Sequence, residues 1–343
     1  MEQNTKSLIR RTANVNSLMI IIFYVLDILL IRVGGWIVGK VAADSKYLYD
    51  ISELVSYCIQ YLIVVPIVLI IFKLISGNKE GLKILASFRK PAMPTKWIAR
   101  WIVISIGLIY AANYINSFFF AFVQSASDTE LNGVDFTSSG TLLGAITSFL
   151  AMSVLAPFFE ELMFRGTLYR NTEKVGQWTG VVMIGLTFGL WHGSYQQILY
   201  AAVMGACACF LVAKTGSIIP SLILHVSLNT IGAVQSIALG QIDLDALQDA
   251  LTKQDMAYIS AHSTPLLIVI TMALLVFALM ITGLVFFFRE IKFHRESFTL
   301  INFCPDVPQG KKFLIYLTSP VTLLCFAGLI IITIRVALGL GIV

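Results

Sequence analysis

Charge is scarce in this chain. Only 13% of its 343 residues are charged while 57% are hydrophobic, and a mean hydropathy of +0.84 excludes an ordinary soluble globular protein. Cysteine is sparse as well. Cys58, Cys207, Cys209, Cys304 and Cys325 show no CxxC spacing and mostly lie in apolar runs, which argues against a disulfide framework and a structural zinc site. Cys207 and Cys209 read as small packing residues. No HExxH occurs, so the helix-borne zinc pair of many metalloproteases is missing. There is no repeat, no low-complexity tract and no stretch long enough for a separate soluble domain. The net charge of +5 does not point to nucleic acid, because the basic residues sit in short loops between apolar runs, where membrane topology signals belong.

What is present is a series of long apolar runs, and the chain reads as an all-α, polytopic transmembrane helical bundle. About nine segments are long enough, or nearly so, to cross a hydrocarbon layer of ~30 Å. They fall near 17–39, 54–76, 101–124, 141–164, 177–193, 196–213, 217–239, 265–288 and 313–335. Three units follow: N-terminal spans over 1–140, a four-helix core over 141–239, and an outer amphipathic segment with C-terminal spans over 240–343. The first run follows Lys6, Arg10 and Arg11 like the start of a signal peptide, but it is too long for one and reads as an anchor. With the N-terminus in the cytoplasm, only Arg32, Lys40, Lys46, Lys253 and Arg335 of the 24 Lys and Arg fall on the outer side. The expected location is therefore a bacterial cell membrane with the N-terminus inside. The acidic segments 125–140 and 240–264, both expected outside, agree with that orientation. Trp97, Trp101 and Trp178 at inner boundaries and Trp36 and Trp191 at outer ones suggest an interfacial belt. Leu244, Leu247 and Leu251 among Asp243, Asp245 and Asp249 suggest a short amphipathic surface helix. Gly185, Gly189 and Gly193, with Ala201, Gly205 and Cys209, place small residues at the spacing that lets helices approach closely in lipid.

Ionisable groups inside such runs are costly and mark function by default. Three clusters qualify, in PFFEELMFRG (157–166), FGLWH (188–192) and HVSLN (225–229). Glu161 and Arg165 are spaced i and i+4 with the acid first, the favourable order for an ion pair. Glu160 points about 100° away on the helix and is left without a sequence-local counter-charge, which suits it to general base work. Pro157 lacks the backbone donor of a normal helical residue and is expected to kink the helix or open a gap. Phe188 stands one turn before His192 and shares its face. His225 and Asn229 again stand one turn apart, an imidazole and an amide able to hold a developing oxyanion. At ~1.5 Å per residue, Glu160, His192 and His225 lie roughly 15, 22 and 12 Å from the inner surface, so one cavity can hold all three. Outside these clusters, Asp27 and Arg32 read as a structural pair or as snorkelling groups, and Asn113 and Asn116 as helix–helix hydrogen-bonding residues.

Glu160-Glu161-x-x-x-Arg165, Phe188-x-x-x-His192 and His225-x-x-x-Asn229, in this order on consecutive apolar helices, resemble the three motifs of the CPBP family of intramembrane proteases. This family is also called the CAAX protease and bacteriocin-processing or Abi family and includes the eukaryotic prenyl-protein endoprotease. The resemblance covers about 140–240. It implies that Glu160 and His192 activate the hydrolytic water, that His225 and Asn229 stabilise the oxyanion, and that Glu161, Arg165 and Phe188 support the site. The implied substrate is a hydrophobic or membrane-anchored peptide or protein in the lipid bilayer.

No metal or other cofactor is favoured, though Glu160, His192 and His225 would be the ligands of a zinc alternative. As zinc ligands they would leave only Glu161 to act as base, and Arg165 is expected to occupy it. Two further readings stand beside the protease: a non-catalytic immunity or scaffold protein that keeps the motifs, and an ion-coupled transporter with Glu, His and Asn on its path.

Overall fold

A computed structural model describes residues 2–76, 87–127, 131–132 and 141–340. Every regular element among them is helical. The chain opens with α1 (Glu2–Val41), followed by α2 (Leu48–Ile75), α3 (Thr95–Ser127) and α4 (Leu142–Glu173). The middle is α5 (Gln177–Trp191), α6 (Ile198–Thr215) and α7 (Ile219–Leu239). Short helices α8 (Leu244–Lys253) and α9 (Met256–Ala261) lead to α10 (Ser263–Phe293), α11 (Gln309–Leu317) and α12 (Pro320–Ala337).

Eight of these helices are long and apolar enough to cross a membrane: α1, α2, α3, α4, α6, α7, α10 and α12. The segment expected to span at 177–193 is different. Its helix α5 has 15 residues, about 22 Å at 1.5 Å per residue, short of the ~30 Å layer. The expected span at 313–335 is also redrawn. It is cut at Ser319–Pro320, where Ser319 is extended, leaving α11 apart from the membrane-length α12. Most of the acidic segment 125–140 lies outside the described residues, while the amphipathic helix expected in 240–264 forms as α8, capped by Asp243 accepting from the amides of Asp245 and Ala246 at 3.0 Å.

Each long helix buries one stripe and leaves the other apolar. On α1 the buried stripe is Ile9, Ala13, Asn16, Ile20 and Phe23, spaced three or four residues apart. On α10, Leu267, Ile270, Leu274, Phe277 and Phe288 stay exposed, which in water would be untenable and in lipid is the solvated face. The inward stripes join in one large core running through α1–α7 and α12, with a second, smaller cluster where Ile9 and Ala13 of α1 meet Met183 of α5 and Tyr316 of α11.

Small residues set how closely the middle packs. A Cβ on Gly189 would lie 2.5 Å from the Ile198 carbonyl oxygen, and one on Gly205 would lie 2.9 Å from the Phe188 Cβ, so α5 and α6 touch backbone to backbone as the spacing predicts. The same happens unannounced between α3 and α10, where a Cβ on Gly107 would stand 2.7 Å from the Gly283 Cα. The tryptophan belt is only partly realised. Trp36 is 67% exposed, but Trp101 packs on Phe210 with ring centroids 4.6 Å apart and Trp191 is also buried. Both are core residues.

A buried polar node ties the ends of the chain to the middle. Asn16 Nδ2 lies 2.8 Å from Thr172 Oγ1 and 3.1 Å from both the Leu168 carbonyl and the Tyr316 hydroxyl, and its Oδ1 accepts from Asn171 at 2.8 Å. In an apolar surrounding such a node fixes the register of α1 against α4 and α11, because any slip leaves several polar groups unpaired.

Candidate active site

Helix α4, which carries both glutamates, is not uniformly wound. Ordinary turns at Ala156–Glu160 and Arg170–Glu173 alternate with π-helical turns at Ala151–Leu155 and Glu161–Tyr169. Such wide turns leave backbone and side chains in unusual positions and recur at functional sites. The first one explains how Asn229 is held. The Ala156 amide donates to Ala151, five residues back, and the next amide in that register would reach Met152. Residue 157 is proline and has no amide to give. The Met152 carbonyl is instead taken by Asn229 Nδ2 at 2.9 Å, across from α7. The gap expected at Pro157 thus serves as an acceptor for a side chain.

The second wide turn holds the ion pair. Arg165 Nη1 stands 3.1 Å from Glu161 Oε1, and both side chains are fully buried. The guanidinium also lies 4.4 Å from the centre of the Phe188 ring and its Nη2 contacts Met204 Sδ at 3.3 Å. Arg165 does not have Glu161 to itself. His225 Nδ1 lies 3.0 Å from the same Oε1, so that carboxylate joins α4 to α7 as well as to its own helix. The other face of the ring looks at the neighbouring acid: His225 Nε2 is 3.6 Å from Glu160 Oε2, a contact longer than a hydrogen bond. Glu160 Oε2 and Glu161 Oε2 are buried without a hydrogen-bond partner among the described residues.

His192 sits at the C-terminal end of α5, where the chain leaves helical geometry through Gly193 at φ +60°, a left-handed turn that glycine adopts without penalty. Its Nδ1 lies 2.8 Å from the Phe188 carbonyl. A carbonyl can only accept, so Nδ1 bears the proton and a neutral ring keeps its lone pair at Nε2. Phe188 therefore positions His192 twice, through its carbonyl and through an edge-to-face ring contact at 4.6 Å. The irregular backbone after α5 needs partners inside the bundle. Asn116 supplies two, its Nδ2 lying 3.0 Å from the carbonyls of Tyr195 and Gln196, while the Tyr24 hydroxyl takes the Trp191 carbonyl. Asn116 thus bonds a connecting segment where a helix–helix bond was expected.

Two cavities meet at these groups. One of about 300 Å³ is lined by Asp27, Tyr57, Tyr61 and Trp191, and one of about 370 Å³ by Tyr110, Phe188, Tyr200 and His225. Met152, Glu160, His192, Gln197 and Asn229 line both. The four polar residues singled out at the three motifs therefore converge, with Glu161 and Arg165 directly behind them. Among the described residues no three His, Cys, Asp or Glu side chains form a group that could hold a metal ion.

Sequence reasoning missed the contribution of the N-terminal helices. Tyr61 of α2 donates its hydroxyl to Glu160 Oε1 at 3.0 Å. Asp27 of α1 is not paired with Arg32, which is exposed; it lines the cavity instead. A signal for Tyr61 was present, since Gln60-Tyr61 is a polar step in an otherwise apolar run.

Residues 141–231 match the family model described as Rce1-like, type II CAAX prenyl endopeptidase Rce1-like. No curated protein and no solved structure gives a significant match to the chain. The matched stretch holds all three motifs, and with the eight membrane-length helices it supports an intramembrane CAAX-type endopeptidase and an integral, multi-pass membrane protein.

Proposed function

We propose that the protein hydrolyses a peptide bond in a hydrophobic or membrane-anchored substrate, with Glu160 as general base. The observation that carries the reading is the shared wall of the two cavities, where a carboxylate, an imidazole with a free acceptor nitrogen and a carboxamide face the same space. In this reading Glu160 takes a proton from a water molecule held by His192 Nε2, and the water oxygen attacks the scissile carbonyl carbon. The carbonyl oxygen becomes an oxyanion and accepts from the remaining Asn229 N–H and from His225. The Glu161 contact at Nδ1 leaves the Nε2 side of the His225 ring turned toward Glu160. Collapse breaks the C–N bond, and the proton held by Glu160 passes to the leaving amine. Glu161, Arg165 and Phe188 hold His225 and His192 in place. The reaction needs no metal, and the N-terminus lies in the cytoplasm.

The test compares membrane peptides by mass spectrometry from cells carrying wild-type protein and the Glu160→Gln or His192→Ala variant. A peptide whose processed form disappears in both variants, with the variants present at wild-type levels, identifies substrate and bond. Unaltered processing in both variants would refute the assignment. Loss of activity in chelator with the fold intact, restored by zinc, would overturn the metal-free part alone.

A further inference from the structure

The cavity on the α1–α2 side is built differently from its neighbour. Asp27 and Glu160 both line it, with no Lys or Arg among its lining residues. Asp27 Oδ1 is inaccessible to solvent and has no hydrogen-bond partner among the described residues. Asp27 thus lines the cavity as a half-buried carboxylate with no cation beside it among the described residues, and a donor entering the cavity would supply the missing counter-charge to the side chain as a whole. The rest of the wall fits one kind of donor. Phe23, Tyr24, Tyr57, Tyr61 and Trp191 surround the space, and aromatic faces attract cations, most strongly where water is excluded. At about 300 Å³ the cavity has room for a long side chain.

We propose that this cavity is a specificity pocket for a basic residue of the peptide substrate, Lys or Arg, with Asp27 as the recognition carboxylate. The inference rests on the protease reading, because the same cavity is lined by Glu160, His192 and Asn229, so a side chain held there sets its own backbone beside those groups. Asp27 is a specificity-determining residue and takes no part in the chemistry. Since it lies outside residues 141–231, the preference belongs to this chain's N-terminal helices.

The test uses full-length protein in phosphatidylglycerol vesicles and Leu/Ala-rich membrane-spanning peptides with a single Lys, Arg, Gln or Glu moved along the sequence. Binding and cleavage are measured separately. At one register the wild-type protein should bind the Lys or Arg peptide about tenfold more tightly than the Gln peptide, the scale of one desolvated charge-assisted contact. Asp27→Asn should bring that ratio close to one, Asp27→Glu should retain it, and Asp27→Lys should turn it toward the Glu peptide. A ratio near one in the wild type, or an unchanged ratio in Asp27→Asn, overturns the proposal. So does Asp27-dependent retention of phosphatidylcholine in place of the basic peptide, which would assign the pocket to a lipid headgroup. Selective binding without cleavage would leave the pocket standing and remove the protease reading; cleavage without selectivity would do the reverse.

Discussion

Tyr61 and Glu160, 99 residues apart in the chain, meet in a 3.0 Å hydrogen bond that joins α2 to the carboxylate proposed as the base. The phenol donates to Oε1 and leaves Oε2 directed toward His225. One oxygen is thereby held while the other stays free to take a proton.

Replacing Tyr61 by Phe keeps the ring and deletes the donor. A hydrogen bond to a charged group contributes about 1.5–3 kcal/mol. Turnover should fall by roughly 10- to 100-fold with KM little changed, because the group acts on the base and not on substrate. Single-turnover cleavage in vesicles reads this directly, and wild-type rates would exclude a positioning role for Tyr61.

Arg165→Met should be among the most damaging substitutions in the protein. It leaves the fully buried Glu161 without its cation, which costs about 3–5 kcal/mol in buried pairs. The double variant Glu161→Gln/Arg165→Met should recover much of that loss, though not activity, since His225 would lose its carboxylate. Thermal unfolding in detergent of both single variants and the double variant measures the coupling; a double variant that loses as much as the two singles added together would show that the pair is not coupled.

Pro157→Ala returns an amide that can compete with Asn229 for the Met152 carbonyl. The expected result is a several-fold drop in kcat without loss of melting temperature. Asn229→Ala should instead lower kcat by about 10²–10³, the usual cost of an oxyanion donor, and also destabilise by about 1–3 kcal/mol through the orphaned carbonyl.

Gly107→Val forces apart α3 and α10 where their backbones touch, one turn before the cavity-lining Tyr110 and away from the motif residues. Overpacking of this kind costs about 1–3 kcal/mol or more. Melting temperature should fall while kcat of the surviving folded protein stays near wild type. A variant as stable as the parent would mean that the two helices can separate freely.

The polar motifs were legible because a charge in an apolar run is too costly to be accidental, and Glu160, His192, His225 and Asn229 do line common space. Tyr61 escaped notice because a phenol is cheap to bury, so the polar step at Gln60-Tyr61 is a far weaker signal than a charge. Asp27 did raise one, but proximity to Arg32 in sequence suggested a pairing that the helix does not make. Hydropathy also averages over interruptions: it ran α11 and α12 together across Ser319–Pro320 and credited α5 with a length that its ending at Trp191 denies it. The second wide turn of α4 left no trace in the residue pattern, since Glu161 and Arg165 meet one turn apart in either winding, whereas the first was announced only by Pro157.

That winding makes residue count matter as much as residue identity. Over Glu161–Tyr169 each turn stores more chain than an ordinary helix would use. Removing one residue from this stretch, while preserving every motif side chain, would change its winding and rotate whatever follows out of its present register. Arg170, Asn171 and Thr172, which dock α4 onto Gly216 and Asn16, would then face the wrong partners. Homologous chains should accordingly tolerate exchanges of side chain here more readily than a change in spacing.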